Sequence, residues 1–123
     1  MNGINLISDT NLLIYLLKGD KRIGEQLDGS QLFISVITEM ELLGMYGISQ
    51  SNLKIVKSVI NDCIIVDFNN EIKQIAIELK QKHKIKLPDA IIAATSKFLN
   101  FPLFTADKYF SKIPHLDCVI IEI

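Results

Sequence analysis

Short apolar segments alternate along this chain with helical stripes, and carboxylates stand at four of the junctions: Asp9, Glu41, Asp89 and Asp107. This alternation constrains the fold more than any other feature. Strand and helix in repeated succession bury their apolar faces in a parallel-rich sheet covered by helices on both sides. The expected architecture is α/β, a three-layer α/β/α arrangement with one central, mostly parallel sheet. Side chains at the carboxyl ends of such strands converge on a common crevice. Acids scattered through the sequence can therefore come together in space.

The individual elements follow from local pattern. Ile4 to Ser8 reads as a first strand that runs straight into Asp9-Thr10-Asn11 and a helix carrying Leu12, Leu13, Leu16 and Leu17, stopped near Gly19. Lys21 to Leu27 forms a second helix and Asp28-Gly29 a turn. Leu32 to Ser35 is a strand entering a helix around Thr38 to Met45, closed by Gly44 or Gly47. Leu53, Ile55, Val56, Val59 and Ile60 mark another helix, Ile64 to Val66 a strand, and Ile72, Ile75, Ala76 and Leu79 a further helical face. Leu87-Pro88-Asp89 opens a helix to about Leu99, since proline suits the first helical position and an acid in the first turn complements the dipole. Ala90 to Ala94 is apolar nearly all round, which makes that helix central. Asn100 ends it, Leu103 to Thr105 is a strand, Asp107 begins a short helix, and Cys118 to Ile121 supplies the last strand. With no repeat or long linker, residues 1–123 read as one domain.

Composition narrows the function classes. Hydrophobic residues at 49% against 22% charged allow apolar burial to offset chain entropy, so a compact fold is expected rather than disorder. The longest apolar run, Leu12 to Leu17, is far too short for a membrane span, and Asp9 interrupts the segment that would otherwise resemble a signal peptide. A cytoplasmic protein without membrane contact is expected. Cys63 and Cys118 lack metal-ligand spacing and adjoin apolar strands, the pattern of buried free thiols. A net charge of −1 argues against strong non-specific binding to a polyanion. The lysines are nevertheless clustered: Lys80, Lys82, Lys84 and Lys86 crowd the approach to Asp89, with Lys97, Lys108 and Lys112 after it. They form either a solvated helix face or a rim contacting phosphate.

Each acid has a structural reading beside a chemical one. Asp9 and Asp107 can cap the helices that follow them, and Asp89 can simply face a helix dipole. Glu41 is harder to explain that way, because it lies inside a helix between Met40 and Leu42; Glu39 is the more solvent-facing competitor. Four gathered acids would repel, each close pair by on the order of 4 kcal/mol at ~4 Å and an effective dielectric near ~20. A divalent cation removes that cost. Mg²⁺ or Mn²⁺ takes such hard oxygen ligands and supports in-line phosphodiester displacement without a protein nucleophile. The chain offers no Ser-His-Asp set and no glycine-rich phosphate loop. Its two histidines, His83 on an amphipathic helix and His115 in a Pro-His turn, take no role.

The segments Ser8-Asp9-Thr10-Asn11, Ile34 to Leu42 with Glu41, Leu87-Pro88-Asp89-Ala90-Ile91-Ile92-Ala93-Ala94-Thr95 and Phe104-Thr105-Ala106-Asp107 together resemble the PIN-domain ribonucleases. More narrowly they resemble the VapC-type toxins of bacterial toxin–antitoxin pairs, in the family's order and over essentially the whole chain. The resemblance implies a PIN-like fold and a Mg²⁺- or Mn²⁺-dependent endoribonuclease acting on RNA. It also implies a homodimer silenced by a cognate antitoxin. By motif match, Asp9, Glu41, Asp89 and Asp107 take the acidic metal positions, with Asn11 and Thr105 as supporting polar neighbours. Many relatives carry another acid two residues beyond the position of Asp107, where this chain has Tyr109, so a second metal is less well provided for. The pocket also admits a housekeeping RNA-processing nuclease, a metal phosphatase or a catalytically silent PIN-like binding module. A receiver-like signalling module fits poorly, because it needs paired acids after the first strand and a lysine after the last.

Overall fold

A computed structural model describes residues 3–123. Five strands form one sheet: β1 (Asn5–Ser8), β2 (Gln31–Ser35), β3 (Ile64–Val66), β4 (Leu103–Thr105) and β5 (Cys118–Ile120). Their spatial order is β3-β2-β1-β4-β5, and every neighbouring pair is parallel. The chain winds outward from β1 in one direction through β2 and β3, then in the other through β4 and β5. The switch in direction falls between β1 and β4. Ligand crevices of open parallel sheets lie at such a switch, outside the carboxyl ends of the strands.

Alternation along the strands builds the three layers. Ile7 and Leu103 point into a cluster with Ile72, Ala76 and Leu79 of α5 (Asn70–Lys82) and Ala90 to Ala94 of α6 (Leu87–Leu99). Their neighbours Leu6 and Phe104 point the opposite way. They meet Leu12 of α1 (Thr10–Leu17) and Ile23 of α2 (Lys21–Leu27). On that same side Ile34 packs with Leu13, with Leu42 of α3 (Val36–Leu43), and with Val56 and Ile60 of α4 (Gln50–Asn61). The central position expected for α6 is realised: Ala90 to Ser96 are all buried.

Local signals set the element ends. Ser35 caps α3 through its hydroxyl, which accepts the Ile37 N–H at 3.1 Å. Gly44 closes α3 by donating its N–H to the Met40 carbonyl at 2.9 Å, and a Cβ there would lie 2.6 Å from that oxygen. Of the two candidate glycines, Gly44 is the stop. Asn100 ends α6 in the left-handed region, at φ 58°. Asp107 opens a short 3₁₀ turn, Lys108–Lys112, rather than an α-helix.

Some expectations need correction. His83 is the residue that ends α5, in extended conformation, and does not lie on its helical face. Cys63 and Cys118 are free but only half-buried. The Cys63 thiol donates to the Val59 carbonyl at 3.3 Å, and burial pushes its pKa up to about 11. Among the described residues no helix is long and apolar enough to cross a membrane.

Candidate active site

Because α6 leads into the start of β4, its own N-terminus lies at the carboxyl edge of the sheet. This brings Asp89 to the same edge as Asp9, which follows β1, and Asp107, which follows β4. Glu41 arrives on α3, immediately after β2. Four elements thus deliver one acid each to the edge where the strand order reverses.

Asp9 is the buried member of the group. One carboxylate oxygen accepts the Leu12 N–H at 2.9 Å, capping α1, and the other accepts the Thr105 hydroxyl at 2.5 Å. Capping and site chemistry are therefore both served by one side chain. Burial pushes its pKa above the ordinary 3.8; the bonds from Thr105 and Leu12 oppose that rise, and the charges of Asp89 and Asp107 add to it. Asp89 is half-buried. Its pKa is also raised, first by desolvation and then by Asp107 and Glu41, with Lys86 pulling the other way. Mutual repulsion of the acids is thus present in the fold.

Thr105 does double service. While donating to Asp9, its oxygen accepts the Asp107 N–H at 3.0 Å. The Asp107 side chain in turn accepts the Tyr109 N–H at 2.9 Å, which fixes the turn that carries it. Tyr109 thus contributes a backbone donor where relatives are expected to carry another acid, and its ring lies 5.8 Å from the Lys112 ammonium.

Exposure does not separate Glu41 from Glu39 in the way the sequence implies, since Glu41 is exposed and Glu39 half-buried. A hydrogen bond separates them instead: Glu41 Oε1 lies 2.6 Å from the Thr10 hydroxyl, which is also 3.0 Å from the buried Thr38 hydroxyl. Sequence reading passed over Thr10 and Thr38. A signal existed in the spacing, because Thr38 and Glu41 stand at i and i+3 on one face of α3. Asn11 is exposed, and among the described residues its side chain bonds to none of the four acids.

The lysine run contributes less than its density implies. Lys80 donates to the Ile85 carbonyl at 2.9 Å, Lys97 to the Pro114 carbonyl at 3.4 Å, and Lys108 lies 4.0 Å from Glu122. Lys86 is the lysine whose charge reaches Asp89.

Hard carboxylate oxygens, partly dehydrated and mutually repelling, are the donor set that suits Mg²⁺ or Mn²⁺. Among the described residues no three Asp, Glu, His or Cys side chains form a closed ligand group. Mg²⁺ is commonly held by only one or two carboxylates, with water and substrate phosphate oxygens completing its shell. Asp9, Asp89, Asp107 and Glu41 are the residues that could hold the ion.

A sequence model of the PIN domain matches residues 6–116. The chain belongs to the PIN domain family. The resemblance read from the motifs is borne out, and so is the PIN-like α/β/α fold. Among solved structures, this PIN domain is 31% identical to a chain of a toxin–antitoxin complex from Klebsiella pneumoniae. The match covers 96% of this chain and 99% of that one, with a TM-score of 0.81. It is 27% identical to a chain of VapBC-1 from nontypeable Haemophilus influenzae, covering 95% and 97% of the two chains with a TM-score of 0.79. A chain of VapBC2 from Rickettsia felis, bound to a DNA fragment from the promoter, shares the fold at a TM-score of 0.83 and 23% identity, over 97% of this chain and 99% of that one. Among curated proteins none matches the chain.

Proposed function

We propose that this PIN domain is a metal-dependent endoribonuclease that hydrolyses RNA phosphodiester bonds, and that it is the toxin of a type II toxin–antitoxin pair. The observation that carries the reading is the delivery of Asp9, Glu41, Asp89 and Asp107 to one sheet edge from four separate elements. Capping accounts for Asp9 and Asp107 singly. It does not account for Asp89, whose pKa is raised first by burial and then further by the charges of Asp107 and Glu41. Structural acids have no reason to accumulate repulsion, whereas a metal centre turns it into affinity.

When bound, Mg²⁺ or Mn²⁺ supplies Lewis acidity that lowers the pKa of an attacking water and stabilises the leaving oxygen. The protein's part is positional. Asp89 projects from the rigid first turn of the most buried helix, and Asp9 is locked by two hydrogen bonds. Thr105 ties Asp9 to the turn that carries Asp107. Asn11 and Thr105 are supporting residues of the centre in this reading, with Thr105 in contact with an acid.

The partners follow from the same reading. An apolar groove of about 690 Å³ between α5 and α6, lined by Ile77, Leu87 and Phe68, suits a second copy and a homodimer. A smaller groove of about 310 Å³ between α1 and the α3–α4 connection, lined by Ile14, Leu17, Tyr46 and Ile55, suits a segment of an antitoxin. Such an antitoxin would silence the centre by offering an Arg or Lys to its carboxylates. The Klebsiella relative is itself part of a toxin–antitoxin complex. A cytoplasmic location goes with this role.

The function is tested by incubating the purified protein with single-stranded RNA in Mn²⁺ and again after chelation. Cleavage that stops on chelation is expected. Cleavage indifferent to chelation, or none in either condition, contradicts the reading.

A further inference from the structure

Glu41 is exposed on the short helix α3. A glutamate in such a position samples several rotamers, and confining it costs up to ~2 kcal/mol of side-chain entropy. The Thr10 hydroxyl stands 2.6 Å from Glu41 Oε1 and 3.0 Å from Thr38 Oγ1. A hydroxyl has one proton to give, and the shorter, charge-assisted contact takes it. The Thr38 oxygen, buried at 0% exposure, is the other acceptor within reach of the Thr10 hydroxyl and fixes where that hydroxyl sits.

We propose that Thr10 is a positioning residue: anchored on the buried Thr38 hydroxyl, it donates to Glu41 and holds the α3 carboxylate in the cleft shared with Asp9 and Asp89. This rests on reading the acids as a metal centre. Thr10 is well placed for the task, because it follows Asp9 directly in the chain and is the first residue of α1. One hydroxyl thereby ties α1, the helix that Asp9 caps, to α3, two elements with no other side-chain hydrogen bond between them among the described residues. The charge of Glu41 does reach the cleft, where it contributes to the raised pKa of Asp89.

The alternative is that Thr10 merely staples α1 to α3. The two roles separate in the Mn²⁺ affinity of the full chain, read by calorimetric titration without RNA, where Thr10→Val should weaken binding about tenfold and a purely structural role would leave it unchanged, and in the metal dependence of its RNA cleavage. Thr10→Val keeps the shape and removes the proton, so the Mn²⁺ concentration giving half-maximal cleavage should rise about tenfold, the usual scale for losing a group that orients a metal ligand. Saturating Mn²⁺ should restore most of the rate. Thr10→Ser should return the half-maximal concentration to within about twofold of wild type, and Thr10→Val should add nothing in a Glu41→Gln background. Should Thr10→Val not fold, Thr38→Val provides the second variant: it leaves the Thr10 hydroxyl but removes its anchor, and should raise the half-maximal concentration by a smaller factor than the loss of the hydroxyl itself. An unchanged Mn²⁺ requirement in a folded Thr10→Val or Thr38→Val protein overturns the proposal alone. So does a Thr10→Val effect that persists undiminished with Glu41→Gln. A wild-type protein that does not respond to Mn²⁺ overturns the metal centre, and the proposal with it.

Discussion

The Thr105 hydroxyl donates to Asp9 across 96 positions of sequence, at 2.5 Å, and so joins the carboxyl ends of β1 and β4 at the point where the strand order reverses. Both partners are buried. The bond does more than satisfy two polar groups, because the same oxygen also accepts the Asp107 N–H. Orientation of one acid and placement of another depend on a single atom.

Thr105→Val should therefore cost about 1–3 kcal/mol of stability, the penalty for leaving a buried acceptor and a backbone donor without partners. It should also weaken Mn²⁺ binding about tenfold or more. Urea unfolding and calorimetric titration check the two effects, and Thr105→Ser should recover most of both. A Thr105→Val protein with wild-type Mn²⁺ affinity would reduce Thr105 to a packing residue.

Asp9 and Asp89 both hold their protons more tightly in the folded chain than the ordinary 3.8. A carboxyl whose folded pKa lies above its unfolded pKa favours the native state fully below about 3.8. That contribution is lost as the pH rises from there through the folded value. In chelator at pH 7, Asp89→Asn should consequently melt higher than wild type, and the gap should close as the pH falls toward 4. Mn²⁺ should stabilise wild type more at pH 7 than at pH 5, because bound protons compete with the metal. A metal-free Asp89→Asn protein that melts below wild type at pH 7 would show that the carboxylate is satisfied without a cation.

A homodimer seated on the α5–α6 groove should be disrupted by charge in its apolar lining. Ile77 is 44% exposed and Leu87 56% exposed, so Ile77→Glu with Leu87→Glu puts two carboxylates where a second copy would bury them, at little cost to the isolated fold. Light scattering at tens of micromolar should report a dimer for wild type and a monomer for the double variant. A wild-type monomer at that concentration removes the dimer.

The sequence carried the element order because each junction had its own chemistry: proline at the start of α6, asparagine at its end, and acids and serine at the caps. All five strands were legible from apolar runs, to within a residue at their ends. The strand order was not. It depends on where the chain reverses direction across the sheet, and no single segment encodes that. Site geometry was half visible. The acids are recognisable from their junctions, and Thr105 from its motif. Thr10 and Thr38 act through a contact between residues 28 positions apart, which helical spacing in α3 hints at but cannot establish. Glu41 and Glu39 were sorted by flanking apolarity. Exposure runs the other way, and the hydrogen bond from Thr10 makes the distinction.

Cleavage of RNA by Asp89→Asn in Mn²⁺ tests the central claim most directly. The substitution preserves the size of the side chain and removes the charge from the first turn of α6, where the buried body of the helix holds the backbone in place. Asp62 and Asp117, exposed at the end of α4 and just before β5, provide the controls, and Asp62→Asn and Asp117→Asn should cleave at close to the wild-type rate. Asp89→Asn should fold normally and lose at least about a hundredfold in rate, as expected when a group acting on transition-state charge is removed. A folded Asp89→Asn protein that cleaves RNA at the wild-type rate would contradict the account.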